Sequence, residues 1–388
     1  MKLKHYSLLA SFLYSLLIFG LLNISCTHVS TNKKQDSDKT GSANIKYAKG
    51  FSVDYYDHYK LVNIFTGSGA NRDTVQYVLI PRGGTAPKGY KKAQLIQIPV
   101  TKMAVMSSTH VAMADFADAA DVIVGLGSLR YVSSAAVRKN IAAVKVKEVG
   151  AEGMINDEVV LTMKPGLVMV MGDPEAKLSK YQTLTGGGIP VMLNSEWLET
   201  TPLARAEWVK LVGILVGKEE LVNTKFAVVE KEYNRLAAMG KKAAFKPTLI
   251  TGMPYKGTWY VPDANSYMTE FFKDAGTNYK WADIKGTGSL PLNFETVAPI
   301  ALEADYWINV GDVDSKKGMK DIDVRYADFK PFKTDKVYNY NLKINENGSN
   351  DFWESGAVYP QLVLADLIKI LHPELLPGHH FVYYKQLN

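Results

Sequence analysis

Asn156-Asp157-Glu158-Val159-Val160 opens the run NDEVVLTMKPGLVMVMGD, residues 156–173, and the chain repeats its plan at NFETVAPIALEADYWINVGD, residues 293–312. Each run reads Asn-x-Glu-x-Val, then a helix-like stretch, then an apolar strand, then Gly-Asp. The strands are 167–171 and 306–310, and the Gly-Asp pairs are Gly172-Asp173 and Gly311-Asp312. A duplicated helix-then-strand unit predicts two similar lobes with a cleft between them. Each lobe then presents a glutamate at the matching place, Glu158 in one and Glu295 in the other. A five-residue pattern also recurs by coincidence, so the reading turns on whether the rest of the chain builds two lobes.

Around the repeat, strand and helix alternate. From Leu95 onward the pattern predicts strands at 103–106, 122–126, 167–171 and 190–193, and helices at about 110–119 and 157–163. Ser107-Ser108-Thr109 supplies the cap for the first of those helices. Thr200-Thr201-Pro202 starts a helix reaching about Val216. The next begins at Glu219-Glu220, where acids suit a positive helix N-terminus, and ends at Gly240 with Lys241-Lys242. Val222, Phe226, Val229, Tyr233 and Leu236 form its apolar stripe. At 1.5 Å per residue it is roughly 34 Å long, enough to bridge two domains. Strands at 248–251, 306–310 and 337–341 follow, with helices at 266–273 and 360–371. Upstream, 51–55, 60–65 and 74–80 read as strands around the turn Gly67-Ser68-Gly69-Ala70-Asn71. The predicted fold is α/β: two Rossmann-like lobes with a cleft, joined by one long connecting helix. The predicted divisions are an N-terminal lobe at 47–200, connecting helices at 201–244 and a C-terminal lobe at 245–388.

The composition fits that plan. A chain of 388 residues suits two or three domains, and its 47% apolar and 22% charged content is ordinary for a globular protein. The net charge of +6 is Lys-rich, without the Arg clusters of a phosphate reader, which speaks against nucleic acid. Lys2 and Lys4 precede an apolar core at 8–22, so residues 1–25 read as a signal peptide. Cys26, the single cysteine, follows Ser25 in a pattern that resembles the bacterial lipoprotein signal, where the cysteine carries lipid. Asn23 stands where that pattern wants Leu, so a secretory signal with an idle thiol stays open. Residues 26–46 form a polar segment expected to act as a tether holding the body off a membrane.

Open α/β sheets bind ligands beyond the carboxyl ends of their strands. That rule selects the loops at 107–110, 127–131, 172–175 and 194–197 in the first lobe, and those at 252–267, 311–314 and 348–354 in the second. The loops are rich in stiff rings that hold a large ligand at low entropic cost. The candidate ligand residues in the first lobe are Ser108, His110, Arg130, Tyr131, Asp173 and Trp197. In the second they are Trp259, Tyr260, Tyr267 and Trp353. Each ring also has a plain reading as core, and His110 one as a helix-turn histidine bonded to backbone. His379-His380 lacks a third ligand at metal spacing and reads as surface. No G-x-S-x-G, H-E-x-x-H or Walker loop is present. Asp173 and Asp312 leave one enzyme alternative, a carboxylate pair for hydrolysis.

Glu196-Trp197-Leu198-Glu199-Thr200-Thr201-Pro202-Leu203-Ala204-Arg205-Ala206-Glu207-Trp208, with Gly217-Lys218-Glu219-Glu220 after it, is similar to the segment before the connecting helix in bacterial periplasmic binding proteins of the iron-siderophore and vitamin B12 class. Lys164-Pro165-Gly166-Leu167-Val168, Gly257-Thr258-Trp259-Tyr260-Val261-Pro262, Ser266-Tyr267, Asp274-Ala275-Gly276 and the run from Leu364 to Pro373 resemble it too. The resemblance covers roughly Leu95 to the end. It implies a monomeric exported receptor, not an enzyme, that serves an ABC importer in the inner membrane and has no cofactor of its own. In that family a glutamate on each lobe docks on the permease dimer, and the matching positions are Glu158 and Glu295. The expected ligand is a ferric siderophore, cobalamin or haem. Arg130 is the best-placed cation for an anionic chelate, and haem would need an axial ligand such as His110 or a tyrosine. An exported α/β hydrolase and a surface adhesion lipoprotein are the rival classes.

Overall fold

The structure is a computed structural model, and it describes residues 39–67, 73–151, 154–173 and 177–388. The expected signal peptide, Cys26, the first part of the tether and most of the Gly67–Asn71 turn lie outside the described residues.

Two parallel sheets organise the body. In the first lobe the strand order is Val191–Asn194, Leu167–Met171, Met103–Val105, Ile123–Leu126, Lys147–Glu148, every pair parallel. Its central strands are unbroken apolar runs, and Met103 to Val105, Leu167 to Val170 and Val191 to Leu193 are all buried. A strand covered on both faces requires such a run. In the second lobe the order is Asn278–Tyr279, Thr248–Thr251, Tyr306–Ile308, Val337–Asn339, Lys385–Gln386, with only the last pair antiparallel. Beside it Pro254–Tyr255, Thr258–Pro262 and Ser289–Leu292 make a small antiparallel sheet.

The repeated Asn has a common physical cause. Asn156 and Asn293 both cap helices, Asp157–Met163 and Phe294–Ala301, accepting from the N–H of Val159 and Thr296 at 3.1 and 2.9 Å. Glu158 and Glu295 each fall in the first turn, where a negative charge complements the helix dipole, and both are exposed.

The helix Glu219–Lys241 has 23 residues, about 34 Å of length. Val222, Phe226, Val229, Tyr233, Leu236, Ala237 and Gly240 are its buried stripe. That stripe lies against Val209–Leu215 on the first-lobe side and against Tyr267–Asp274 and Pro360–Leu371 on the second. Gly240 is a close-approach point, since a Cβ there would sit 2.9 Å from the Ala275 carbonyl carbon. The expected single helix from Pro202 is two, Pro202–Glu207 and Val209–Leu215. The break falls at Trp208, whose indole N–H donates to Glu199 at 3.0 Å and whose ring packs 4.8 Å from that of Phe51.

The tether expectation fails from residue 39 onward. Lys39–Ser42 pairs with Phe51–Tyr56 and continues through Lys60–Thr66, Asp73–Pro81 and Gln94–Ile98 as a five-stranded sheet. The backbone between the first two strands is held by carboxylates, while Ala43, Ile45, Tyr47 and Ala48 pack on the core. Glu207, fully buried, accepts the backbone N–H groups of Lys46, Tyr47 and Ala48 at 2.9, 2.6 and 2.8 Å, and the Lys210 ammonium at 2.7 Å. Glu199 accepts those of Lys49 and Gly50 at 2.9 and 2.8 Å. The sheet then seals the outer strand of the first lobe. Gln94 exchanges two 2.8 Å hydrogen bonds with the Val191 backbone, and the Leu193 N–H donates to the Tyr77 hydroxyl at 3.1 Å.

Replacing Glu207 strands three N–H groups and a buried ammonium together. Glu207→Ala is expected to lower unfolding stability by about 3–5 kcal/mol, read from urea denaturation followed by circular dichroism.

Candidate functional site

A cavity of about 580 Å³ opens beyond the carboxyl ends of four first-lobe strands. Met106 follows the strand Met103–Val105, Gly127 and Ser128 follow Ile123–Leu126, Met171 ends the next strand with Asp173 after it, and Glu148 ends the last. The volume is in the range of small-molecule sites. Ser107 and Ser108, at the start of the nine-residue helix Ser108–Phe116, also line it. Ser107 caps that helix by accepting from Thr109 N–H at 3.3 Å. The helix dipole thus turns its positive end to the cavity.

The side chains in the wall divide by chemistry. Tyr131 and Tyr181 supply rings, and Met106 and Met171 supply thioethers. Glu148 and Asp173 are acids, and Lys180 is a cation beside the Tyr181 ring, 5.8 Å from its centroid. Burial, then the Asp173 charge, raises the Tyr181 phenol above its ordinary range. Tyr131 and Met171 are about half exposed and form the rim.

Three of the expected ligand residues, Ser108, Tyr131 and Asp173, meet on this one cavity. Trp197 does not line it, but its indole N–H donates to the Gly172 carbonyl at 2.7 Å and holds the loop that carries Asp173. Arg130 is exposed and does not line the cavity itself; its guanidinium stands 5.3 Å from the centre of the Tyr131 ring and its Nε donates to the Asn347 carbonyl at 2.9 Å in the second lobe. Tyr267 and Trp353 border a separate, much smaller cavity of about 20 Å³ with Arg205, whose guanidinium stands 4.2 Å from the centre of the Tyr267 ring. Tyr260 projects from the small antiparallel sheet, half exposed.

Three expectations are corrected. Trp259 is a core residue, fully buried among Trp307, Tyr326 and Phe329, with its N–H donated to Thr251 at 2.8 Å. Strand alternation explains the pair: of Trp259 and Tyr260, one must point inward. His110 is also fully buried inside the helix Ser108–Phe116, and burial pushes its pKa down to about 3. Its ring is fully buried and does not line the cavity, so in this arrangement it does not meet a ligand there. His379 is likewise not a plain surface residue, since its Nε2 lies 2.6 Å from the buried Asp366 carboxylate.

The residues that sequence reasoning passed over are Lys180, Tyr181, Glu148, Met106 and Met171. Lys180 and Tyr181 sit in a single 3-10 turn, Leu178–Tyr181, with no periodic pattern to mark it. Glu148 ends a two-residue strand too short and polar to be read as one. Met171 had a usable signal, being the last residue of a predicted strand and so at its ligand-facing end.

Comparison with known proteins fits this geometry. A family model described as periplasmic binding protein matches residues 104–339. An uncharacterized lipoprotein of Methanocaldococcus jannaschii is 27% identical over 393 aligned residues, covering 95% of this chain and 92% of that protein. Among solved structures, the triscatecholate siderophore binding protein FeuA from Bacillus subtilis, in complex with ferri-bacillibactin, superposes with a TM-score of 0.53 at 17% identity, covering 72% of this chain and 94% of its own. A periplasmic haem binding protein from Pseudomonas aeruginosa gives 0.54 at 13% identity, covering 74% and 98%.

The buried histidine yields a pH dependence with a definite sign. In the unfolded chain His110 titrates near 6.5, in the fold only near 3, so the unfolded state binds the extra proton between those values. Its contribution to stability is full above about 6.5 and is lost as pH falls towards 3. Urea denaturation across that window is expected to show a weaker pH dependence for His110→Leu than for the wild type.

Proposed function

The chain belongs to the periplasmic binding protein family, and from that premise we propose that it is the substrate-binding lipoprotein of an ABC importer, capturing an iron chelate of the siderophore kind. The observation that carries the ligand reading is the first-lobe cavity, which combines two phenol rings, one ammonium and a helix N-terminus with two acids, Glu148 and Asp173. Anionic chelate oxygens suit Lys180 and the amides at Ser107 and Ser108, and the rings suit a flat ligand. The siderophore bound by FeuA and the haem bound by the Pseudomonas protein lend the same direction.

Haem is the second reading, favoured by the thioethers of Met106 and Met171 and the phenols of Tyr131 and Tyr181 in one wall. His110 drops out as its axial ligand because of its burial. Cobalamin stands behind both. Kinship with solute-binding proteins leaves the hydrolase alternative without support. The lipid anchor at Cys26 is supported by the Methanocaldococcus relative's description as a lipoprotein. Delivery is to a permease dimer, with the exposed Glu158 and Glu295 as docking acids on two matched helices. Such charges set register and encounter rate more than affinity.

Titration of the full-length protein with ferric chelates, haem and cobalamin, followed by tryptophan fluorescence, tests the ligand. Trp197, bonded to the Gly172 loop, is the expected reporter. Quenching by a ferric chelate is expected, with Tyr131→Ala weakening it roughly tenfold, the worth of one ring contact. Absence of quenching by all three ligands overturns the import reading. Charge reversal as Glu158→Lys with Glu295→Lys is expected to leave that affinity unchanged while lowering uptake in cells. Undiminished uptake removes the docking role.

A further inference from the structure

The wall of the cavity at Tyr131 and Val132 is gripped from the other lobe. Residues 345–354 of the second lobe lie along residues 130–138 of the first and make a series of polar contacts with it. Arg130 Nε donates to the Asn347 carbonyl at 2.9 Å, and Asn345 Nδ2 donates to the Val132 carbonyl at 2.9 Å. The Ser133 and Ser349 hydroxyls are 3.0 Å apart, and Arg138 pairs with Glu346. At the end of the series Glu354, almost fully buried, accepts the backbone N–H groups of Ser133 and Ser134 at 2.7 and 2.6 Å. Those amides lead into the helix Ala135–Ala142, which Ser134 caps.

We propose that residues 345–354 are a latch bolted by Glu354, whose docking on 130–138 holds the lobes together at the cavity wall and whose release frees that wall. The geometry favours a latch over permanent packing. The contacts along 130–138 are polar, most of the bonds end on backbone atoms, and a pocket of about 210 Å³ lies beside them, lined by Asp115, Asp351 and Glu354 together with Phe116, Val358 and Tyr359. A polar seam beside a pocket separates at less cost than a close-packed apolar one.

The bolt carries a charge that its surroundings resist. Burial raises the Glu354 carboxyl from 4.5 to about 7, the two N–H donors offsetting part of this and the charges of Asp351 and Asp115 adding to it. Other groups face the same space. Lys343 lies 3.6 Å from Asp351, Tyr383 reaches in through Ser355 at 2.9 Å, and Tyr359 stands opposite Asp115. A carboxyl whose docked pKa lies above its free value takes up a proton on docking. The latch is therefore tightest below about 4.5 and loosens as pH rises through about 7. The docking itself needs no ligand; only its consequence for ligand retention rests on the reading of the cavity given above.

Hydrogen exchange of the unliganded full-length protein tests it. Protection of peptides spanning 130–138, corrected for intrinsic exchange chemistry, is expected to fall roughly tenfold between pH 6 and pH 8. In Glu354→Gln, a neutral side chain like the protonated carboxyl, the protection is expected to be flat with pH and not to fall at pH 8, while peptides from 219–241 keep native protection. The milder Asn345→Ala with Ser349→Ala removes latch bonds without touching the buried charge, and several-fold lower protection of 130–138 is expected. A wild-type profile independent of pH removes the Glu354 bolt. Unchanged protection of 130–138 in the Asn345→Ala, Ser349→Ala protein removes the latch.

Discussion

Everything upstream of the first lobe hangs on the Glu207 carboxylate. It is fully buried, yet it is satisfied on both oxygens by three consecutive backbone amides and an ammonium. A lone charge there would be untenable, whereas a charge with four donors is satisfied and fixes the path of residues 46–48. The device recurs. Glu199 holds Lys49, Gly50 and the Trp208 indole, and Asp366 holds the amides of Val382, Tyr383 and Tyr384 with His379. In each case a carboxylate on or just after a helical element captures consecutive backbone amides of a bent, irregular segment. The two ends of the body are thus fastened by hydrogen bonds to charge as well as by apolar residues such as Ile45, Tyr47, Tyr384 and Leu387 packed on the core.

That is also why the N-terminal boundary was misread. Residues 39–46 carry almost no apolar signal, and their order comes from a strand partner and from a glutamate more than 160 positions away. Neither is visible in a local window. The lobes were legible because their information is local. Met103, Leu167 and Val191 begin unbroken apolar runs, Asn156 and Asn293 are caps, and Val222 to Leu236 is a stripe at helical spacing. The break at Trp208 was not legible, because helical propensity runs straight through it and the indole's distant partner decides.

The site was legible to the level of loops. Ligands bind beyond strand ends in such sheets, and that rule alone brought Ser108, Tyr131 and Asp173 onto one cavity. It could not say which way a side chain turns. Trp259 and Tyr260 are neighbours on one strand with opposite fates, and His110 lies two positions from Ser108 but on the inner face of the same helix. Rings are equally good core and equally good ligand surface, so composition of a loop does not separate the two. Lys180 and Tyr181 escaped because a single turn leaves no periodicity to read.

The knot around Glu207 bears on how the body would answer a mechanical pull. Any drag entering through the chain upstream of Lys39 first meets a strand zipped to Phe51–Tyr56, then the three amides clasped by Glu207. Both stand before the first residue of either parallel sheet. Force entering there is taken up on the short helices that precede the long one, before it reaches the strands of either parallel sheet.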